Sequence, residues 1–150
     1  MQTFLPYKSF VSSAKVLDRQ RLGKQRVECL QIMTALVDKT GWVNHPATNM
    51  WRGYEWALLS YAMVIIEEWI RRGYKDNCAD RIQEVYDRGV REGIIISTPR
   101  VPPWLGLKKF HSAHRANLLR KDWIWYHKFH WKEKAASVDD GYWWPTHHGY

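Results

Sequence analysis

The residues best placed to do chemistry lie in one run, Leu17-Asp18-Arg19-Gln20-Arg21-Leu22-Gly23-Lys24-Gln25-Arg26-Val27-Glu28. Wound as a helix, it sets Glu28 on one face with Arg21, Lys24, Gln25 and Gln31, while Leu22, Cys29, Leu30, Met33 and Val37 fall on another. One carboxylate inside a basic stripe suits binding a polyanion and moving protons on it. The plainer reading makes Glu28 a surface acid paired with Lys24, four residues earlier and in the weaker orientation for such a pair.

Other reactive side chains are less ordered. Of the 7 histidines, His127 with His130 and His147 with His148 lie close in sequence, and neither spacing is that of a metal site, so no metal or other cofactor is expected. His45, between Asn44 and Pro46, sits in a turn, where its ring either bonds the turn itself or faces a ligand. The absence of GxSxG, P-loop, GxGxxG and HExxH patterns argues against the familiar serine hydrolases, nucleotide-binding folds and zinc proteases. Cys29 and Cys78 form neither a disulfide framework nor a zinc pattern, which fits a reduced, cytoplasmic compartment.

Composition narrows the partner. Lys and Arg total 23 against 15 Asp and Glu, a net charge of +8, and 10 Trp with 8 Tyr offer flat surfaces for unstacked bases. A signal peptide is not expected at the N-terminus, and the apolar stretch over residues 57–70, interrupted by Glu67 and Glu68, is too short for a membrane span. A single soluble domain over residues 1–150 is the expectation.

The elements that must position the stripe follow from the local pattern. Residues 1–10, with Pro6, read as an extended arm. A first helix is expected over residues 13–38, capped by Ser12 or Ser13, with Gly23 inside it permitting close approach of a ligand or another helix. A central helix, apolar nearly all round, is expected over residues 50–72 and ends before Gly73. A third, capped by Asp76 or Asn77, reaches residue 91, and a last one starts near Ser112. Ile94-Ile95-Ile96 is β-prone but too short to define a sheet, and the tail from Lys132 reads as an irregular arm. The fold class is therefore all-α, three to four helices with long aromatic-rich loops and an irregular C-terminal arm.

Several segments resemble a bacterial and phage family, the pyrimidine dimer DNA glycosylases. They are Met1-Gln2-Thr3-Phe4-Leu5-Pro6-Tyr7, the run ending at Glu28, Asn44-His45-Pro46-Ala47, Met50-Trp51-Arg52-Gly53-Tyr54-Glu55, Pro102-Pro103-Trp104-Leu105-Gly106, and residues 110–122. Glu68-Trp69-Ile70-Arg71-Arg72-Gly73-Tyr74 is similar to the end of the family's central helix, and the basic aromatic residues 123–131 to its C-terminal segment.

The resemblance implies a bifunctional enzyme without cofactor, acting as a monomer on damaged double-stranded DNA. In the family an α-amine attacks C1′ of the damaged nucleotide, forms a Schiff base and allows β-elimination of the 3′ phosphate. Carried over, Glu28 takes the role of the family's glutamate and Met1 supplies the amine. Gln2, Arg19, Arg21, Lys24, Gln25 and Arg26 are expected to face DNA near them. His45, Arg115, Arg120, Lys121, Trp125 and Lys128 are expected to contact it elsewhere. Two positions depart from the pattern: the bulky Gln2 stands where the family exposes a small residue, and Val27 where it has arginine. The nucleophile is then the Met1 amine, a lysine such as Lys24, or water in a glycosylase without lyase activity. A non-catalytic DNA-binding module, or an enzyme acting on free nucleotides, are the rival readings.

Overall fold

The computed structural model of the chain describes residues 1–145. His147 and His148, and the end of the C-terminal arm, lie outside the described residues. Among the described residues seven α-helices follow in order: α1 Phe10–Val16, α2 Arg19–Asp38, α3 Pro46–Trp51, α4 Glu55–Arg71, α5 Ala79–Arg91, α6 Lys108–Lys121 and α7 Trp123–Tyr126. Short 3-10 turns at His127–Phe129 and Val138–Asp140 complete them. The all-α expectation holds, with more and shorter helices than the apolar periodicity predicts.

Two of the expected helices are each broken in two. Residues 13–38 do not form one helix, because Leu17 and Asp18 are extended (ψ 136° and 160°). Asp18 caps α2 by accepting from Arg21 N (3.3 Å), and the buried Tyr126 hydroxyl both accepts from Asp18 N (3.0 Å) and donates to its carboxylate. A side chain that satisfies the backbone locally, backed by a distant phenol, outcompetes continuation of the helix. The central helix is likewise interrupted at Gly53, whose φ of +87° lies in the left-handed region, and Glu55 accepts from Gly53 N at 2.8 Å.

Helix α4 is the centre of the core, with Leu58, Tyr61, Ala62 and Ile65 at 0% exposure, and α2 and α5 pack against it. Gly23 is indeed a point of close approach. A Cβ there would lie 2.9 Å from the Trp69 ring of α4. At the α2–α5 crossing, a Cβ on Gly89 would meet Ile95 Cδ1 at 2.6 Å and Val37 Cγ2 at 2.8 Å. Ile94-Ile95-Ile96 thus forms no strand, and Ile95 plugs this crossing instead. Asp76 supplies the expected cap of α5, accepting from Ala79 N (2.8 Å) and Cys78 N (3.1 Å). Helix α6 starts earlier than predicted, at Lys108, and Ser112 lies within it and donates to Glu133.

The N-terminal arm is shorter than residues 1–10, because Phe10 already begins α1 and Ser9, not Ser12 or Ser13, caps it; residues 1–5 have no regular secondary structure. Gln2, Thr3, Phe4 and Leu5 are 2%, 0%, 4% and 0% exposed, so the start of the chain runs through the interior.

Candidate active site

A buried extended segment must place its backbone polar groups on something other than water. Here three helices receive them. From α2, Gln25 accepts from Phe4 N at 2.8 Å and donates to Gln2 O at 2.9 Å. From α4, the Tyr61 hydroxyl lies 2.6 Å from Phe4 O and 2.9 Å from Gln25 Oε1. Helix α6 grips the next residues. His114 Nδ1 accepts from Leu5 N (2.8 Å), and Arg115 donates to Pro6 O (2.7 Å). His111 Nε2 accepts from Gly106 N (2.9 Å), which leaves Nδ1 to donate to Leu5 O (2.8 Å). Trp51 donates to the Thr3 hydroxyl at 3.0 Å.

Both histidines must be neutral to fill these roles. Burial pushes His114 down from 6.5 to about 3, and burial lowers His111 as well, against the opposing bond to Leu5.

The arm ends in a cavity of about 110 Å³ lined by Met1, Gln2, Phe4, Gln20, Arg21, Lys24, Gln25, Glu28, Lys121 and Tyr142. Glu28 is the one acid among these residues. Its Oε2 accepts from Gln25 Nε2 at 3.1 Å and, at a longer 3.4 Å, from Gln2 N. Burial raises the Glu28 pKa above the ordinary 4.5. The Gln2 N–H, the charge of the amino terminus, Lys24 and Gln25 oppose that rise without cancelling it. The amino terminus also acts on His45, whose pKa is lowered first by burial and then by that positive charge. Met1 therefore lines the same cavity as Glu28, and one carboxamide, that of Gln25, ties the arm at Gln2 and Phe4 to Glu28.

The remaining predicted residues divide by what already holds them. Lys24 and Lys121 rim the cavity, and Arg21 joins them while pairing with Asp18 at 3.2 Å. Arg19 is exposed and lies 5.2 Å over the Tyr74 ring. Arg26 turns away from the cavity, into an ion pair with Asp76 (2.6 Å) and onto the Trp69 ring (4.4 Å). Arg115 is taken by Glu133 (2.8 Å), and Arg120 is half-buried. His45 bonds its own turn, accepting from Ala47 N at 3.0 Å as the cap of α3, with Trp42 and Trp144 set edge-on against its ring. Trp125 donates to Val16 O (2.7 Å) and carries Lys128 over its ring at 3.4 Å. Beside them Trp123 and Ile124 stand 57% and 83% exposed, an apolar tip on a basic surface.

A family model described as pyrimidine dimer DNA glycosylase matches residues 1–82. The chain belongs to that family. No curated protein and no solved structure matches the chain. As a pyrimidine dimer DNA glycosylase, it carries Met1, Gln2, Gln25, Glu28, His45 and Tyr61 within the matched region. Lys121, Tyr142 and the two arm-gripping histidines lie beyond it. Sequence reasoning missed Phe4, Gln20 and Tyr142 as cavity walls, and His111, His114 and Tyr61 as clamps. Phe4, Gln20, His111 and His114 carried a signal, since all four lie in segments that resemble the family, whereas Tyr61 and Tyr142 carried none. Among the described residues no group of three or more His, Cys, Asp or Glu could hold a metal ion, and no helix is long and apolar enough to cross a membrane.

Proposed function

We propose that this glycosylase excises pyrimidine dimers from duplex DNA through the α-amine of Met1, with Glu28 as its proton-transfer partner, and then cuts the strand at the emptied sugar. The observation that carries this reading is the Gln2 N–H held 3.4 Å from Glu28 Oε2, which sets the first residue of the chain beside the cavity's one acid.

The chemistry follows from these groups. An α-amine has a pKa of about 8, so a useful neutral fraction exists at physiological pH. The amine nitrogen bonds to C1′ as the C1′–N1 bond breaks, and the bonding pair leaves with the base, which takes a proton from water. The attached nitrogen, now an ammonium, gives a proton to Glu28. Glu28 returns it to O4′ as the sugar ring opens to a protonated Schiff base. Loss of a C2′ proton then expels the 3′ phosphate, and water frees the enzyme. A carboxyl whose pKa is raised by burial suits both taking and giving that proton. Lys24, Lys121, Arg21 and Arg19 hold phosphates around the cavity, which gives affinity without sequence preference.

Borohydride trapping tests the reading, on duplexes that carry one cyclobutane dimer or one abasic site. The expected result is a covalent adduct that maps to Met1 and disappears when the amine is blocked. An adduct on Lys24 refutes the assignment of the nucleophile. Base release without any adduct refutes amine catalysis and leaves a glycosylase that uses water.

A further inference from the structure

Gln2 holds an unexplained donor. Gln2 is one of the residues that line the cavity, yet it is only 2% exposed. Its Oε1 accepts from Thr3 N at 3.0 Å, and this fixes which end of the carboxamide is which. The other end, Nε2, is buried without a hydrogen-bond partner. An orphaned buried donor costs stability, so a native structure that keeps one in a cavity wall calls for a reason.

We propose that the Gln2 carboxamide donates to O2 of the pyrimidine being expelled and stabilises it as a leaving group. This rests on the amine mechanism above. When the C1′–N1 bond breaks, its electron pair goes to N1 and spreads to conjugated carbonyls. In an intact pyrimidine these are O2 and O4. A cyclobutane dimer has lost its C5=C6 double bond, so N1 is no longer conjugated to O4 and the charge falls on O2 alone. O2 is also the carbonyl nearest C1′, where the amine attacks. The amine and the donor belong to adjacent residues, so a chain end that delivers the first delivers the second. A donor beside the cavity, freed to bond the one atom that gains charge, would act in the manner of an oxyanion hole. The bulk of Gln2, which departs from the family's small residue, then has a use: it keeps Met1 in place and supplies the donor.

Two variants separate this role from packing. Gln2→Met and Gln2→Leu each remove the donor while filling similar space. Both second residues are bulky enough to retain Met1. Scission of the C1′–N1 bond in a duplex with one cyclobutane dimer, measured in single turnover, should fall on the order of 100-fold in both. Trapping on a duplex with a preformed abasic site, which has no base to expel, should stay within about threefold, because its chemistry needs no donor at O2. Equal losses on the two substrates would mean that Gln2 only positions the arm, and unchanged C1′–N1 scission would mean that O2 is not its target. Either outcome overturns the inference. If the unmodified chain traps abasic DNA but expels no dimer, the inference fails while the amine site stands. If it traps neither, the underlying reading fails first.

Discussion

Replacing Gln25 by Leu tests whether the arm's docking places the amine. The Gln25 carboxamide accepts from Phe4 N and donates to Gln2 O and Glu28 Oε2, all within 3.1 Å, and is 1% exposed. Leucine fills similar space and leaves the Phe4 N–H and Gln2 C=O without partners. Each stranded backbone group costs about 1–3 kcal/mol, so the pair costs about 2–6 kcal/mol. In a domain of this size about 1 kcal/mol lowers Tm by about 2–4 °C, which predicts a loss of about 4–24 °C. Burial of Phe4 and Leu5, and the grip of His111 and His114, keep the arm docked against that cost. Chemistry should suffer more than stability. A displacement of about 1 Å in a reacting group costs on the order of 100-fold in rate, so adduct formation on abasic DNA should fall by about that factor while affinity for DNA persists. Trapping at the parent rate, in a protein whose Tm has dropped, would refute the idea that Gln25 sets the amine against Glu28.

Four further outcomes are expected. Glu28→Gln should lower turnover by about 10²–10⁴-fold and spare DNA affinity in a binding assay. Because burial raises the folded pKa of Glu28 above 4.5, its ionisation costs stability that is absent below 4.5 and fully incurred above the raised value, so the Tm of Glu28→Gln at pH 8 should not fall. Extending the chain by a few residues ahead of Met1, which turns the amine into an amide, should abolish the adduct in a trapping gel without changing Kd. Lys24→Ala and Lys121→Ala should each flatten the slope of log Kd against log salt by about 0.9, whereas Arg26→Ala, whose guanidinium is bound to Asp76, should not. His114 has a folded pKa of about 3 against 6.5 when free, so stability is complete above 6.5 and should fall by about 1.4 kcal/mol for each pH unit below it, read by urea unfolding at pH 7, 6 and 5.

What could be read from the sequence, and what could not, divides by separation along the chain. The Glu28 face, with Arg21, Lys24 and Gln25, lies within two turns of one helix, so periodicity alone assembles it. Gly23 as a contact and Asp76 as a cap are equally local. Arg26 shows where this reasoning stops. It belongs to the basic run, but Asp76, 50 residues on, draws it to the other side of the helix. The break at Leu17 and Asp18 depends on a phenol 108 residues away, and the break at Gly53 is masked by the apolar run around it. The buried arm was the least legible feature. Its partners on α6 lie more than 100 residues downstream, and an extended segment has no period to announce which face is covered.

If the amine acts as proposed above, that burial explains how so small a protein could use its own end as a reagent. A free chain terminus samples many positions, and fixing it at the moment of reaction would cost about 1–2 kcal/mol for each residue ordered. Here Thr3, Phe4 and Leu5 are part of the core, so folding has already ordered all but the last residue. The amine then inherits the rigidity of α2, α4 and α6, and Glu28 on α2 needs no loop to close over it. The same coupling works in reverse. Removing Gln25 or lengthening the chain each acts at a different point of one continuous path from α6 to Glu28. Both should therefore impair the amine while leaving the basic rim able to hold DNA.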